Sequence, residues 1–253
     1  MSGIPADQLA RHITDWLRAC ADDAGALGAV VGISGGVDSA TVAALCLRAF
    51  PQTTLGVLMP CHSDPRDLED ARIVCAALGL ASTTVVLDAA HDALVNALRG
   101  SAHFAEHRLA LANLRPRLRM TSLYYFANRL NRLVAGTGNR SEAYVGYFTK
   151  YGDGGVDVLP IGGLVKADVK TLAAALGVPR GIVERTPTAG LWPGQTDEAE
   201  MGLTYAALDA YLLGGTAPGV VENPPTCGRT PSLPSGRWQQ PVLQSSNPRG
   251  RRA

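Results

Sequence analysis

The sequence has no strong excess of charge of either sign. Its 253 residues include 23 lysines and arginines and 22 acidic residues, so the formal net charge is +1. Such a balance supplies no general field to attract nucleic acid or an anionic membrane. The charge is nevertheless uneven, because residues 216–253 hold five arginines and one acidic residue, Glu222.

Long apolar runs and paired cysteines are also missing. No stretch approaches the roughly eighteen apolar residues of a membrane helix, and the N-terminus lacks the charged start and apolar run of a signal peptide. The five cysteines are odd in number and form no Cys-x-x-Cys pair, which argues against a disulfide framework or a zinc knuckle. We therefore expect a cytoplasmic protein without a membrane span, with Cys46 and Cys75 as buried, inert thiols.

Short apolar runs alternate with helical patterns along the chain. The pattern predicts strands at 28–33, 54–59, 83–87, 132–135 and 157–161. It predicts helices at 5–20, 38–50, 67–78, 118–130, 165–176 and 197–213, with some helical tendency in the polar stretch 91–113. Strands that alternate with helices favour an α/β fold, a doubly wound parallel sheet with helices on both faces. Ligands of such sheets bind at the carboxyl ends of the strands.

A glycine-rich loop follows the first predicted strand, in the sequence Val-Val-Gly-Ile-Ser-Gly-Gly-Val-Asp-Ser. Gly35 and Gly36 allow positive φ angles and a close approach of ligand to the backbone N–H groups. The next helix points its positive end at the same place, so the loop suits phosphate. Asp38 would repel phosphate unless a cation lay between them, which suggests Mg²⁺. The alternative is a tight strand-to-helix turn in which Asp38 only caps the helix.

The loop lacks the Gly-Lys-Ser/Thr of the common nucleotide P-loop and has no Gly-x-Gly-x-x-Gly. Instead, residues 34–39 resemble the pyrophosphate loop of the N-type ATP pyrophosphatases, which adenylate a substrate and release pyrophosphate. Two later blocks narrow the resemblance, Gly-Thr-Gly-Asn-Arg-Ser-Glu at 136–142 and Gly-Tyr-Phe-Thr-Lys-Tyr-Gly-Asp-Gly-Gly-Val-Asp at 146–157. Together they closely resemble the NAD synthetase family, whose Rossmann-like fold is that of the adenine nucleotide alpha hydrolases.

Three further blocks support the resemblance: 113–120 with its Arg-x-Arg-Met, 160–166 ending in a lysine, and 187–202 with Gly-Gln-Thr-Asp-Glu-Ala-Glu-Met-Gly. The last is rich in Pro, Gly and small polar residues, and we interpret it as a mobile lid. The resemblance assigns ATP binding to Gly32, Ile33, Ser34, Gly35, Gly36, Val37, Asp38, Ser39, Thr137, Lys166 and Thr188. It assigns Mg²⁺ to Asp38 and Glu142, and deamido-NAD⁺ to Arg117, Lys150 and Asp157.

The resemblance implies a two-step ligase reaction. Deamido-NAD⁺ is adenylated by ATP, and ammonia then gives NAD⁺ and AMP. About thirty residues precede the loop, which leaves no room for the amidase domain of glutamine-dependent relatives. We therefore expect free ammonia, or ammonia from a separate partner chain. The resemblance also implies a homodimer, with no nucleic-acid or membrane partner.

The sequence departs from the family pattern in two places. The resemblance covers residues 4–213 and then fails, so we predict a domain at 1–215 and a disordered Pro/Gly/Arg-rich tail at 216–253, either native or frame-shifted. The family's His-Lys pair near the dinucleotide is missing from that tail. In addition, the Leu-Met-Pro-Cys-His at 58–62 lacks an arginine that many relatives place before the proline.

Two other function classes remain open at this point. One is another adenylating enzyme of the same fold, such as a tRNA-modifying one. It would need a nucleic-acid-binding appendage or a catalytic cysteine pair, and neither is visible. The other is a nucleotide-binding protein that has lost turnover because of its altered C-terminus.

Overall fold

A parallel sheet of four short strands forms the centre of the computed structural model, which describes residues 4–188, 190 and 194–214. The strands are β1 (Ala29–Gly32), β2 (Thr54–Leu58), β3 (Ser82–Thr84) and β4 (Leu133–Ala135). Their order across the sheet is β3-β2-β1-β4, and every neighbouring pair is parallel. The prediction of a parallel α/β sheet is therefore confirmed.

Helices connect the strands and cover both faces of the sheet. In the described residues they are α1 (Ala6–Ala24), α2 (Val37–Ala49), α3 (Pro65–Leu78), α4 (Asp88–Arg99), α5 (Arg108–Ala112), α6 (Leu114–Leu130), α7 (Arg140–Val145), α8 (Lys166–Ala175), α9 (Arg180–Val183), α10 (Asp197–Met201) and α11 (Tyr205–Leu212). Side chains of α1, α2, α3 and α8 form the larger apolar cluster on one face, and α6 packs on the other.

The central strand β1 shows why its sequence is an unbroken apolar run. Successive side chains point to opposite faces, so Val31 packs in the larger cluster while Val30 packs with Ala127 of α6. Both valines are fully buried, and each contributes about 1.5–3 kcal/mol through removal of its apolar surface from water. A strand covered on both faces has no polar side to alternate with.

Three predicted elements differ from the structure. The predicted fifth strand at 157–161 is only an isolated bridge between Ala135 and Val158, because the chain turns at Pro160, which has no N–H to donate. The predicted helix at 197–213 is two helices, α10 and α11, since Gly202 adopts φ +71° between them. The third strand is shorter than predicted, and helices α4 and α5 occupy residues 91–99 and 108–112 of the polar stretch that follows it.

The parallel strands end at one edge of the sheet, where the loops after β1, β2 and β4 meet. No helix within the described ranges is both long and apolar enough to cross a membrane. The predicted disordered tail, 216–253, lies outside the described residues, and so does part of the predicted lid. The predicted burial of Cys46 and Cys75 is confirmed.

Candidate functional site

A cavity of about 650 Å³ opens at the carboxyl edge of the sheet. Its size is typical of a small-molecule site. Thirteen of the residues that the sequence singled out line it: Gly32, Ile33, Ser34, Gly36, Val37, Asp38, Ser39, Arg117, Thr137, Glu142, Lys150, Lys166 and Thr188. Gly35 and Asp157 are not among the lining residues.

The loop after β1 leaves the N-terminus of α2 open toward this cavity. Gly35 has φ +81°, and Gly36 is the N-cap of α2 without any side-chain cap bond to the helix. The hydroxyls of Ser34 and Ser39 lie 3.1 Å apart and tie the loop to itself, since the Ser34 N–H donates to Ser39 Oγ at 3.2 Å. Uncapped N–H groups at the positive end of a helix form an anion site. Asp38 caps nothing here, so the capping alternative for this residue is not what the structure shows.

Lys166 lies between the carboxylates of Asp38 and Glu142, and all three residues line the cavity. Its Nζ is 2.5 Å from Asp38 Oδ2 and 3.3 Å from Glu142 Oε1, and its side chain is only 3% exposed. Three segments that are distant in sequence supply these groups: α2, α7 and α8. One ammonium group is therefore shared by two carboxylates.

Asn139 hydrogen-bonds to both acidic residues, Asp38 and Glu142, and positions them relative to each other. It is fully buried and begins α7 with a capping box, in which Glu142 N–H donates to Asn139 Oδ1 and Asn139 N–H donates to Glu142 Oε2. Its Nδ2 also donates to Asp38 Oδ1 at 3.1 Å. The sequence motif Gly-Asn-Arg-Ser-Glu therefore places Glu142 by a local helix-start signal, and the same asparagine positions Asp38.

The structure adds a third carboxylate that the sequence reasoning did not assign to the site. Asp197 begins α10, is 4% exposed and also lines the cavity. Tyr205 joins it to the cluster, because its hydroxyl is 3.0 Å from Asp197 Oδ2 and 3.3 Å from Glu142 Oε1. The other oxygen, Asp197 Oδ1, is buried without a hydrogen-bond partner in the described part of the chain. The Asp-Glu pair after Gly-Gln-Thr is the available signal, but the sequence reasoning places it in the predicted lid and at a helix start and assigns it no ligand.

The charges of this cluster are poorly balanced. Burial, together with the nearby Asp38 carboxylate, raises the pKa of Glu142 to about 7, although Lys166 opposes the shift. Burial also raises the pKa of Asp197. For Lys166, burial alone would lower the pKa, but Asp38 and Glu142 outweigh it and the pKa lies above its ordinary value. Three carboxylates around one ammonium leave an excess of negative charge that a further cation would neutralise. Carboxylate oxygens are the donors that Mg²⁺ prefers.

Two of the three residues predicted for the dinucleotide, Arg117 and Lys150, line the cavity, and the third, Asp157, does not. Arg117 on α6 is exposed and donates from Nε to the Lys150 carbonyl at 3.3 Å, so the two lie together. Asp157 is engaged within the protein instead: its carboxylate accepts from the Tyr124 hydroxyl and from the Val134 N–H, both at 2.8 Å. This is a structural role that its position in the motif did not reveal.

An arginine reaches the loop after β2 from a different element. Arg119 on α6 donates from Nε to the Met59 carbonyl at 3.0 Å and from Nη2 to Ser63 Oγ at 3.2 Å. It also lines the cavity, as do Met59 and Ser63. The loop lacks its own arginine, and the one on α6 holds it in place.

The comparisons with known proteins identify the family of this chain. A family model described as NAD synthase matches residues 9–222. The chain belongs to this family. An NH(3)-dependent NAD(+) synthetase from Carboxydothermus hydrogenoformans is 53% identical over 209 residues, which are 83% of this chain and 86% of the relative.

Solved structures of NAD synthase relatives show the same architecture. The structure of an NMN synthetase from Francisella tularensis has a TM-score of 0.81 and 35% identity, over 87% of this chain and 90% of that one. An NAD+ synthetase from Burkholderia pseudomallei has a TM-score of 0.72 and 32% identity, over 85% and 84%. The resemblance and the fold inferred from the sequence are thereby confirmed.

Proposed function

We propose that this member of the NAD synthase family is a ligase that converts deamido-NAD⁺ to NAD⁺ with ATP and ammonia. The observation that carries the proposal is the arrangement of Lys166, Asp38 and Glu142 beside the uncapped start of α2, inside one cavity. This arrangement combines an anion site with carboxylates that suit a cation. An ATP-cleaving enzyme needs both.

The triphosphate is proposed to lie on the loop at residues 34–39, with its negative charge facing the N–H groups at the start of α2. Lys166 would leave its carboxylate partners and turn toward the phosphates, which its long side chain permits. Thr137 and Thr188 also line the cavity, and their hydroxyls are suited to hydrogen bonds with the nucleotide. Positioning and charge neutralisation are what such a reaction requires of a protein.

The oxygen donors of Asp38 and Glu142 fit Mg²⁺. In the same cluster, Asp197 Oδ1 is a buried oxygen with no hydrogen-bond partner among the residues that the structure describes. When bound, the ion would neutralise phosphate charge next to Lys166. A cation there would also oppose the rise in the pKa of Glu142 that burial and the nearby Asp38 carboxylate cause. Asp38 and Glu142 are thus the proposed ligands, and Asn139 keeps both oriented.

The proposed reaction has two steps that balance without a covalent enzyme intermediate. A carboxylate oxygen of deamido-NAD⁺ attacks the α-phosphorus of ATP, and the bond to the β-phosphate breaks to release pyrophosphate. Ammonia then attacks the carbonyl carbon and loses a proton, and AMP leaves with the former carboxylate oxygen. In this scheme Arg117 and Lys150 bind the dinucleotide, and Asp157 is the third proposed contact.

A second substrate has a specific observation behind it. The solved structure with a TM-score of 0.81 is named an NMN synthetase. By the same amidation chemistry, we infer nicotinic acid mononucleotide as the second candidate substrate of this chain; it carries the same carboxylate but lacks the adenylate half. The proposed chemistry at the phosphate loop is identical for both substrates, so discrimination must come from the part of the cleft around Arg117 and Lys150.

The test is a steady-state assay of both substrates with ATP and Mg²⁺, using ammonium or glutamine as the nitrogen source. The proposal predicts NAD⁺ from deamido-NAD⁺ with ammonium, a lower kcat/KM for the mononucleotide, and no product with glutamine alone. A higher kcat/KM for the mononucleotide would select the second substrate. We also propose that the protein is a homodimer and is located in the cytoplasm. Sedimentation of the same sample tests the first, and fractionation of cells tests the second.

A further inference from the structure

Two histidines and an aspartate form a separate cluster next to the cleft. His62 follows β2, while His91 and Asp92 lie in α4. The His62 Nε2 is 2.7 Å from Asp92 Oδ1, and the His91 Nδ1 is 3.3 Å from the same oxygen. One ligand atom from each residue lies within 4.8 Å of the other two. None of the three lines the cavity, so the cluster is separate from the phosphate-binding cleft.

Hydrogen bonds of the backbone connect the loop that carries His62 to the start of α4, which carries His91 and Asp92. His62 has φ +48°, in the left-handed region that side chains other than glycine seldom adopt. Its N–H donates to Asp88 Oδ1 at 2.7 Å, and the Leu87 N–H donates to the Pro60 carbonyl at 2.8 Å. These bonds fix the loop after β2 against the start of α4. With this backbone angle, the His62 ring contacts Asp92 on α4.

The side chains are arranged as an open site. The His91 side chain is 12% exposed, while those of His62 and Asp92 are 39% and 56% exposed. The two imidazole rings meet edge to face, with centroids 5.3 Å apart. One ligand is thus anchored within the protein, and the others face solvent, where an ion can enter and water can complete its coordination.

We propose that His62, His91 and Asp92 bind one divalent transition-metal ion, for which Zn²⁺ is a suitable probe. Imidazole nitrogens suit Zn²⁺, Co²⁺, Ni²⁺ and Cu²⁺, whereas Mg²⁺ prefers oxygen ligands only. The donor set therefore differs in kind from the carboxylate cluster around Lys166. The two sites are expected to take different ions.

The geometry requires only small side-chain movements. Ligands about 2.1 Å from a tetrahedral ion lie about 3.4 Å from one another. The present separations bracket that value, with the carboxylate too close to one ring and no pair beyond 4.8 Å. Asp92, which is more than half exposed, can withdraw enough to admit an ion. Without an ion, the same carboxylate bridges the two rings by hydrogen bonds, and this bridge is the competing explanation of the cluster.

The proposed metal site lies on a loop that also borders the cleft. Pro60 and Ser63, on either side of the His62 segment, both line the cavity. An ion on His62 would tie this loop to α4 by a second connection, in addition to the backbone bonds. Binding is therefore expected to raise the melting temperature of the protein.

The experiment is equilibrium dialysis of the full chain against Zn²⁺ in excess Mg²⁺, with Co²⁺ absorption spectra as a second readout. The ligand variants are His62→Asn, which tolerates the left-handed backbone, His91→Ala and Asp92→Asn. His12→Ala, an exposed histidine on α1, is the matched control. We expect about one Zn²⁺ per chain, affinity at least about tenfold weaker in each ligand variant, and no change in the control.

Three results would overturn the proposal. They are no Zn²⁺ bound by the wild-type chain, equal binding by a His62→Asn/His91→Ala variant that circular dichroism shows to be folded, or a thiolate-to-cobalt band that assigns the ion to a cysteine. The readout is binding alone and needs no turnover. Its outcome is therefore independent of the proposed ligase function.

Discussion

Replacing Gly35 by alanine tests whether the phosphate loop depends on close backbone packing against α3. Gly35 has φ +81°, and a Cβ there would lie 2.8 Å from the Asp67 carbonyl oxygen, 2.8 Å from Asp70 Cβ and 3.0 Å from the Ala71 nitrogen. Two of these atoms belong to the backbone of α3 and cannot rotate away. Either the loop or the helix must shift.

A matched glycine separates the two contributions to the cost. Gly79 ends α3 with φ +63°, and no heavy atom of the described residues lies within 4 Å of an added Cβ. Gly79→Ala therefore carries only the left-handed backbone penalty, about 1–2 kcal/mol. Gly35→Ala carries the same penalty and also the clash, which costs about 1–3 kcal/mol more in a packed interior. The entropy that alanine removes from the unfolded chain is common to both variants and cancels in their difference.

Urea unfolding of the wild type and both variants measures this difference directly. We expect Gly35→Ala to lower the free energy of unfolding by about 2–5 kcal/mol, and Gly79→Ala by about 1–2 kcal/mol, with unchanged m-values. Gly35→Ala should also weaken ATP binding, whereas Gly79→Ala should not. Equal destabilisation by the two variants would refute the packing argument, and unaltered ATP affinity in Gly35→Ala would refute the role of the loop.

The other predictions concern buried charges and thiols. Lys166→Met is expected to lower the free energy of unfolding by about 3–5 kcal/mol, because it leaves two largely buried carboxylates without their cation. In urea unfolding, Mg²⁺ should stabilise this variant more than the wild type. Asp197→Asn is expected to raise the free energy of unfolding by about 1–3 kcal/mol at pH 8, since one buried oxygen of the carboxylate has no partner within the described part of the chain. The same variant should lower the Mg²⁺ affinity measured by titration calorimetry. In a Cys227→Ser protein, Ellman's reagent at pH 8 should label none of the remaining thiols until the chain is denatured, because burial raises their pKa values.

Each of these has a control or a contrary result. Lys170→Met, on the same helix, should change stability by no more than about 0.5 kcal/mol, and a similar loss in both lysine variants would contradict the first prediction. The pKa of Asp197 is raised in the folded state, so the gain from Asp197→Asn is present at neutral pH and should fade as the pH falls through that raised pKa toward the unfolded value. A gain that persists in acid would point to packing rather than charge. Rapid labelling of native thiols would show that the cysteines are more accessible than the fold implies.

The parallel sheet could be predicted because the buried strands are continuous apolar runs and the intervening segments have helical periodicity. The phosphate loop could be placed because Ser34, Asp38 and Ser39 surround a glycine pair soon after a buried strand. A glycine pair alone would favour an ordinary strand-to-helix turn. Gly202 shows a limit of the method. The sequence does not show whether a glycine within a helical pattern has a helical or a positive φ angle. The structure shows a φ angle of +71° at Gly202, where α10 ends.

The parts of the site that could not be predicted depend on contacts between distant segments. Asp197 was visible as a helix start, but its meeting with Tyr205 and Glu142 depends on how α7, α10 and α11 pack together. The position of Arg119 likewise follows from the packing of α6 against the loop after β2. Asp157 shows the opposite case, because its place in a motif says nothing about the internal hydrogen bonds with Tyr124 and Val134 that its carboxylate accepts.

The central claim is that this cleft joins a carboxylate to the α-phosphate of ATP before ammonia attacks. It is tested most directly with deamido-NAD⁺ labelled with ¹⁸O in its nicotinate carboxylate, incubated with ATP, Mg²⁺ and ammonium, followed by mass spectrometry of the AMP. The account predicts that NAD⁺ forms and that one ¹⁸O atom appears in each AMP released. NAD⁺ formed with unlabelled AMP would contradict the adenylate route, and no NAD⁺ from a folded protein would contradict the proposed substrate.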